Sequence, residues 1–591
     1  MFILGISCFY HDSAAALIDD GNLIAAAEEE RFSRIKHDIS FPINSVHFCL
    51  EEAKIKASDL DYVVFYEKPF HKFERNLLTS LQTYPKSWRM FGEAMISWFG
   101  NKLWIKDTIR RHTGIDNDRI LFIDHHLSHA ASSFYCSPFE EAAILTLDGV
   151  GEWTTASCGK ARANNITLSE EIIFPHSLGL LYSAFTAFLG FQVNDGEYKV
   201  MGMAPYGKPK YADLIIEKLV HIAEDGSFWL NMDYFSYHFS DVNTFNSRFI
   251  DLFGSPRDPG MAFFTSETRF PSYFCEKPAE FEKHCHLNEH FADIAASIQT
   301  VTEEIILKLA SSLHQKTGLT RLCMAGGCAL NSKANGRILN ETPFEDIFIQ
   351  PAAGDSGGAL GAALFVYHAL LGKPRTFILN HAYYGKAYSD SDIKSYLDGQ
   401  RISYDYYADD DRLLERVVDE LLDQKVIGWF QGRFEWGPRA LGNRSILADP
   451  RSEMMKDKVN IKIKFREPFR PFAPVVLDEY VDDFFTGRNI VRQYPSRFML
   501  FVLPLRESRM DQIKAVNHFG TARLQAISRE CNPRYYGIVE KFGQATGVPV
   551  LLNTSFNLRG EPIVATPEDA YSTFNRSGLD ILVLNNFVVR K

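Results

Sequence analysis

The chain has 591 residues, 46% hydrophobic and 23% charged, with a formal net charge of −11. That length exceeds what one hydrophobic core serves, so about two to four domains are expected. The acidic balance excludes a general nucleic-acid-binding face, which needs a broad basic surface, though it leaves room for a local basic pocket for small anions.

In chain order, apolar runs at 2–6 and 14–18 flank a polar turn holding His11, Asp12 and Ser13, and Asp20-Gly21 is a hairpin signal. This is the strand–turn–strand start that actin-like ATPases set against a nucleotide phosphate. The apolar start lacks a basic flank and reads as a buried strand rather than a signal peptide. Ile120–Ile123 is a short strand that runs into Asp124-His125-His126-Leu127-Ser128-His129, a helix start. Ala142–Leu147 is a buried strand ending in Asp148-Gly149-Val150-Gly151, and 294–316 has helical periodicity. Arg321–Met324 ends in a Gly326-Gly327 loop, and Ile347–Gln350 leads into Gly354-Asp355-Ser356-Gly357-Gly358. Strands that end in Gly/Asp loops put ligand groups at the strand C-termini of an α/β sheet. Residues 371–385 read as a linker between a unit at 1–370 and one at 386–591. The second unit has a helix near 410–424, a strand at Val426–Phe430, a basic segment from 433 to 470 and a closing strand at Val548–Leu552. No internal repeat is visible, no run of about 18 apolar residues offers a membrane span, and nine cysteines without a CxxC pair point to reduced thiols in a cytoplasmic protein.

His125 and His129 stand four apart, the helical spacing of two ligands to one metal, and Asp148 and Asp355 at strand ends complete a candidate set. Two imidazoles and two carboxylates suit iron, manganese or zinc, and less clearly magnesium. The bland alternative is a helix whose histidines bond backbone or water. Gly326-Gly327 and Gly354 to Gly358 either let backbone N–H groups approach an anion or make tight turns. Arg433, Arg439, Arg444, Arg451, Lys462, Lys464, Arg466 and Arg470 crowd one segment among prolines and aromatics, which reads as an anion pocket, the alternatives being surface charge or salt bridges to another domain. Glu30 or Arg31 either opens a helix or lines a cleft. His284-Cys285-His286 reads as structural or surface. The aromatic-rich stretch 225–290 is expected to cover an acceptor pocket.

Ten segments, among them GISCFYHDSAAALIDDG, DHHLSHAASSF, LTLDGVGEWTT, NDGEYKVMGMAPYG, AGGCALNSKANG, QPAAGDSGGALGAAL, GPRALGNRSILADPR, KFREPFRPFAPVV, HFGTARLQ and LLNTSFNLRGEPIV, resemble the NodU/CmcH carbamoyltransferases across nearly the whole chain. The resemblance implies an α/β fold, with an N-terminal actin-like ATPase domain of the sugar kinase/actin superfamily and a C-terminal YrdC-like domain. It implies that carbamoyl phosphate and ATP give carbamoyl adenylate, and that the carbamoyl group then passes to a hydroxyl of a small-molecule natural product. It makes His125, His129, Asp148 and Asp355 ligands of a divalent metal, Fe2+ first and Mn2+ or Mg2+ after it. Lys36, Gly149, Val150, Gly327 and Asn331 fall where the family holds nucleotide. Arg439, Asn443, Arg444, Arg470, His518, Arg523, Asn553 and Ser555 match the carbamoyl-phosphate and ATP pocket. His11 is the expected general base, because imidazole titrates near neutral pH; Asp12 orients or replaces it, and Lys199 joins them as a catalytic candidate.

Two positions depart from the family pattern: Phe519 stands where the family usually has Asp, and Tyr198 stands where many members have Gly. An internal passage between the domains is expected, since carbamate decomposes readily in water. A homodimer is compatible with the sequence. Two rival readings remain at this stage: an actin-like kinase or ATPase, which leaves the basic second unit without a task, and a subunit of tRNA threonylcarbamoyl machinery, which the net charge disfavours.

Overall fold

The computed structural model describes residues 1–100, 102–266, 268, 270 and 276–591. Cys275 and the Lys462 side chain, both noted in the sequence, lie outside the described set. None of the described helices is long and apolar enough to cross a membrane.

The first unit holds two five-stranded sheets. In the first, Phe2–Ser7, Ala14–Asp19 and Asn22–Glu28 form an antiparallel meander, and Tyr62–Phe65 and Ile120–Phe122 then add in parallel on the other side of the first strand. In the second, Glu141–Leu147, Thr154–Arg162 and Asn165–Ile173 form the meander, and Arg321–Ala325 and Asp346–Phe348 add in parallel. The same strand order thus occurs twice, which is the duplicated core of an actin-like fold. The expectation of no internal repeat is corrected at the level of topology. Buried strands require only that their side chains be apolar and fit. Ile3, Leu4 and Ile6 in one copy and Ile144, Leu145 and Leu147 in the other meet that demand with different residues.

The helices His125–Phe134 and Asp355–Phe365 cross at close range. A Cβ at Gly361 would stand 1.9 Å from the Ser128 carbonyl oxygen, and one at Gly5 would stand 1.8 Å from the Ala359 carbonyl oxygen. Gly357 and Gly358 likewise pack on Ala352 and on Ser128 and Tyr66. This close packing requires glycine at 357 and 358. Backbone cannot yield as a side chain can, so Gly361→Ala is expected to cost about 3 kcal/mol, the upper end for overpacking. A thermal midpoint within a degree of the parent would contradict this packing account.

The second unit is built on a nine-stranded mixed sheet, as expected of a YrdC-like α/β domain. Its order is Asp405–Tyr406, Phe587–Arg590, Ile581–Leu584, Ile427–Phe430, Arg444–Ala448, Val550–Ser555, Ala473–Leu477, Thr521–Ile527 and Phe501–Pro504. The helices Asp410–Leu422 and Pro533–Thr546 cover one face with Leu413, Val417, Leu421, Ile538 and Phe542, a core of its own. The stretch 371–385 is extended and packed: Leu379 N–H donates to the Cys136 carbonyl at 3.0 Å, and Tyr383 bridges Glu435.

The units meet tightly. Buried Arg31 donates through Nη2 to the Gly437 carbonyl at 2.7 Å, and Gly437 N–H donates to Glu28 at 2.7 Å. Arg34 donates to the Ile563 and Pro562 carbonyls at 2.7 and 3.0 Å. Seen from the structure, the Glu28–Arg31 run is both a short helix start and an inter-unit clasp. Cys285 is buried and His286 exposed on the Phe281–Thr317 helix, in keeping with a structural or surface role.

Candidate active site

Asp124 precedes the His125–Phe134 helix in extended backbone, and the helix start is held from afar: His125 N–H donates to both Glu152 carboxylate oxygens at 3.1 Å. Glu152 was not singled out in the sequence, because no local pattern marks a cap from another strand. The i, i+4 spacing puts His125 and His129 on one helix face, while His126 turns away to Thr146 Oγ1 at 2.7 Å. Asp148 at the end of one strand and Asp355 at the start of the next helix arrive from the other sides. One ligand atom from each of the four lies within 4.8 Å of all the others, and all four residues are buried. His125 Nε2 and His129 Nε2 are 3.0 Å apart; His125 Nε2 is 3.3 Å from Asp148 and 3.6 Å from Asp355, and His129 Nε2 is 3.5 Å from Asp355.

Two ring nitrogens and two carboxylates facing one buried point are costly without a positive charge among them. Among the described residues Asp355 Oδ2 and both Nδ1 atoms make no hydrogen bond, and His125 Nδ1 has Glu67 at 4.0 Å. Burial opposes a charged His125, yet Asp355 and Asp148 push it up to about 9. The donor set of two nitrogens and two oxygens fits a divalent cation.

Asp148 also accepts the Gly327 N–H at 2.8 Å. That N–H is therefore taken, and the Gly326-Gly327 loop serves strand packing: Gly326 has φ 95°, and a Cβ there would meet the Leu147 carbonyl at 2.2 Å. Asn331 caps the Ser332–Glu341 helix and exchanges hydrogen bonds with Gln299, which bonds Glu303 at 2.7 Å. Gln299 and Glu303 were missed because they lie inside a long helix with no motif. Gly149 lines the same cavity, while Val150 is buried behind it.

A second cluster stands at the first hairpin turn. His37 Nδ1 donates to Asp12 at 2.7 Å and its Nε2 donates to Asp195 at 3.2 Å. His11 Nδ1 stands 2.8 Å from Asp12, and its Nε2 stands 2.7 Å from the Asn194 carbonyl oxygen. Lys36 is paired with Asp195. Asp12, His37 and Asn194 all hold positive φ (47°, 55° and 65°), a concentration of backbone strain in non-glycine residues. Every ring nitrogen of His11 and His37 faces an acceptor, so both rings are donors on both sides. Burial works against the charged forms, but Asp12 and its neighbours raise His11 to about 9 and His37 to about 10. His11 is thus held as an imidazolium, and the general-base role expected of it is corrected to that of a cationic donor. Asp12 accepts from two imidazoles and is held low by them, so it does not replace His11 as base. His37 and Asp195 were missed because the four groups are separated by up to about 180 positions and only the fold joins them.

One cavity of about 960 Å³ runs between the units. Asp148, Asp355, His11 and Asn331 line it from the first unit, and Arg439, Arg466, Arg470, His518, Arg523, Asn553 and Ser555 line it from the second. Arg439 and Arg523 have no hydrogen bond or ion pair among the described residues; their Nε atoms are enclosed without partners. Burial lowers the pKa of both guanidiniums. Lys464 is engaged by Ser555 Oγ at 3.1 Å and Asn557 Oδ1 at 2.6 Å. Asn553 is held by Ala440 and Gln525, with its Oδ1 unpartnered. His518 donates through Nε2 to the Gly202 carbonyl at 3.1 Å, and burial pushes it down to about 3, so it is neutral. Lys199 lies 3.9 Å from Glu467, on the side of the second unit rather than beside His11.

Asn443 and Arg444 do not line the cavity. Arg444 is fully buried, stacks at 3.6 Å on Phe430 and donates to the Gln431, Gly432 and Asn443 carbonyls. Asn443 bonds Gln431, Asn532 and the Arg433 carbonyl. Their assignment to an anion pocket is corrected to a structural one, because backbone carbonyls consume their donors. Arg433 bonds the Ile24 carbonyl and Arg451 pairs with Asp449, so neither adds to the pocket. Of the stretch 225–290, only Pro259 among the described residues lines the cavity. Phe235, Phe245, Phe249 and Phe253 instead pack with Phe185 and Phe188 in a satellite core, which corrects the expected cover of an acceptor pocket. Phe519 keeps the local turn despite φ 51°: the His518 and Thr521 backbones still pair at 2.8 and 3.1 Å, and its ring rests edge-on against Tyr206.

With this geometry in view, two family models cover the chain: Carbamoyltransferase N-terminus over residues 2–364 and Carbamoyltransferase C-terminus over residues 418–591. An uncharacterized protein of Synechocystis is 47% identical, over 100% of this chain and 96% of its own length. Nodulation protein NolNO of Sinorhizobium fredii is 37% identical over 99% of this chain and 79% of its own. Nodulation protein U of Rhizobium tropici is 28% identical over 95% and 91%. Among solved structures, component A of (R)-2-hydroxyglutaryl-CoA dehydratase from Acidaminococcus fermentans aligns with 63% of this chain and 99% of its own at 13% identity, with a TM-score of 0.29.

Proposed function

Because the chain belongs to the carbamoyltransferase family, we propose that it is an ATP-dependent O-carbamoyltransferase that makes carbamoyl adenylate at one end of its cavity and spends it at the other. The observation that carries this reading is that a single cavity joins partnerless arginines in one unit to a buried His/Asp cluster in the other. A labile intermediate needs such a continuous route.

Arg439, Arg466, Arg470 and Arg523 take carbamoyl phosphate, their guanidiniums matching phosphate oxygens. Water attacks the phosphorus, the P–O bond to the carbamoyl group breaks, and phosphate departs, leaving carbamate with both its oxygens, a poor electrophile because it is anionic. Its oxygen attacks the α-phosphate of ATP, pyrophosphate departs, and the product carries AMP as leaving group. Gln299, Glu303 and Asn331 offer the polar wall for adenosine. In the second step the acceptor oxygen bonds the carbamoyl carbon and the bond to AMP breaks. AMP takes the electron pair and, with a second phosphate pKa of about 6, can carry off the hydroxyl proton. His11 and His37, held as imidazoliums with their N–H groups engaged by Asp12, Asn194 and Asp195, line the cavity and act on this charge through space. His125, His129, Asp148 and Asp355 would hold a divalent cation, Fe2+ foremost, which when bound supplies Lewis-acid stabilisation of the departing phosphate.

The pH dependence follows from the sign of the shift. His11 is raised to about 9, so its charge is present below that pH and lost above it. The transfer rate is therefore expected to fall as pH rises through about 9, and His11→Gln should remove that inflection while lowering the plateau. A rate that climbs through the same range would restore the general-base role. The function itself is tested by incubating the protein with carbamoyl phosphate, ATP, a ferrous salt and a panel of hydroxylated natural products, with products followed by phosphorus NMR and mass spectrometry. Pyrophosphate and AMP that depend on carbamoyl phosphate, with a carbamoylated acceptor, support the reading. ADP as sole nucleotide product would replace it with a kinase or ATPase.

A further inference from the structure

Tyr198 opens the short Glu197–Met203 helix of the first unit and reaches across to the second. Its hydroxyl oxygen accepts from Arg470 Nη2 at 2.7 Å, and its ring lies under the same guanidinium at 4.8 Å. Among the described residues Arg470 is otherwise paired only with Glu467, at 3.5 Å. Around this contact, the side chains of Arg439 and Arg523 have no acceptor among the described residues, and among those residues Arg466 has Asn460 at 2.7 Å and a long contact to Pro471. A pocket of four guanidiniums thus offers its charge to one phenol oxygen from the other unit. The charges that act on Tyr198 come from both sides: Arg470 with Arg439, Arg466 and Arg523 beyond it, and Asp195, Lys36 and Lys199 from the hairpin-turn cluster and its own helix. Tyr198 therefore sits where the basic end of the cavity meets the end that holds His11 and His37. The resemblance noted above leads one to expect glycine here, which could not make this contact.

We infer that Tyr198 is a placeholder for the donor anion: its phenol oxygen occupies the site on Arg470 that a phosphate oxygen takes, and anion binding displaces it. The inference rests on the proposed donor pocket. Tyr198 is a positioning residue by this reading, since it keeps Arg470 aligned and partnered while the pocket is empty of anion. When the anion arrives the ring leaves the guanidinium, and the wall between the two ends of the cavity changes shape. Donor occupancy and the passage are then coupled through one side chain.

Inorganic phosphate is the probe, with binding measured by calorimetry on the full chain and on Tyr198→Phe. The phenylalanine keeps the ring and the fold but offers no oxygen, so phosphate no longer competes for Arg470. Affinity is expected to rise about tenfold, the size of one hydrogen bond to a charged group. A purely structural role does not touch the second readout. Burial opposes ionisation of Tyr198, but Arg470 outweighs it and lowers the pKa. Phosphate binding to the parent should therefore weaken as pH rises and the phenol ionises, below the usual phenol range, and Tyr198→Phe should lack that component. Equal or weaker binding by Tyr198→Phe, with the parent's pH profile, overturns the inference, as does phosphate binding to neither protein. Tighter binding by Tyr198→Phe, in a protein whose pyrophosphate release ignores carbamoyl phosphate, upholds the placeholder and removes the donor assignment.

Discussion

Replacing His129 with alanine is expected to separate the two half-reactions. Carbamoyl-phosphate-dependent pyrophosphate release should persist, because Arg439, Arg466, Arg470 and Arg523 belong to the other unit. Transfer to the acceptor should fall by about a thousandfold or more, the kinetic equivalent of about 4 kcal/mol of lost charge stabilisation. The reason is geometric: His129 Nε2 lies 3.0 Å from His125 Nε2 and 3.5 Å from Asp355, so its loss opens one side of the four-group set. Elemental analysis should find about one divalent ion per parent chain and far less in the variant. The variant should also stay folded, since removing one imidazole from a crowded polar point relieves as much as it disrupts. Parent-like metal content and parent-like transfer in His129→Ala would remove the cluster from the chemistry.

Arg523→Ala should act on the opposite half. Truncating a charged partner of a bound ion typically costs about 2–5 kcal/mol, which corresponds to a fall of about 30-fold to about 5,000-fold in kcat/KM for carbamoyl phosphate. Added carbamoyl adenylate should restore transfer, because nothing at the His/Asp end has changed. Stability is the unusual part of this result. Arg523 has no ion pair or hydrogen bond among the described residues, and burial lowers its pKa. The side chain is half-buried at the cavity wall, and a charge there without a partner adds nothing to the unliganded fold, so the alanine variant should melt at the parent temperature or above it. A lower melting temperature together with full activity would make Arg523 a structural residue instead.

The two sites differed in how far they could be read from the chain. The metal-type cluster was legible because helical spacing places His125 and His129 on one face and buried strands deliver Asp148 and Asp355 to one edge of the sheet. The pocket was legible only in outline. Ten basic residues lie between 433 and 470, but which guanidinium faces the cavity depends on which carbonyls lie nearby. Arg439 emerges free and Arg444, five residues on, is consumed by the backbone. The charged state of His11 was illegible for the same reason: Asn194, which takes its Nε2, is remote in sequence. The duplicated sheet order left no trace in residue identity, because packing constrains shape and polarity rather than sequence. The phenylalanines of 235–253 carried no sign of whether they faced a ligand or one another, and the fold turned them inward.

The most direct test follows an oxygen atom. Carbamoyl phosphate labelled with oxygen-18 in both carbamoyl oxygens is turned over with ATP and an acceptor, and the AMP is analysed by phosphorus NMR for the isotope shift. If carbamate attacks the α-phosphate and the acceptor then attacks the carbamoyl carbon, each AMP gains one labelled oxygen. AMP without label, or ADP in its place, would contradict the adenylate route and with it the account of a cavity that joins two chemically distinct ends.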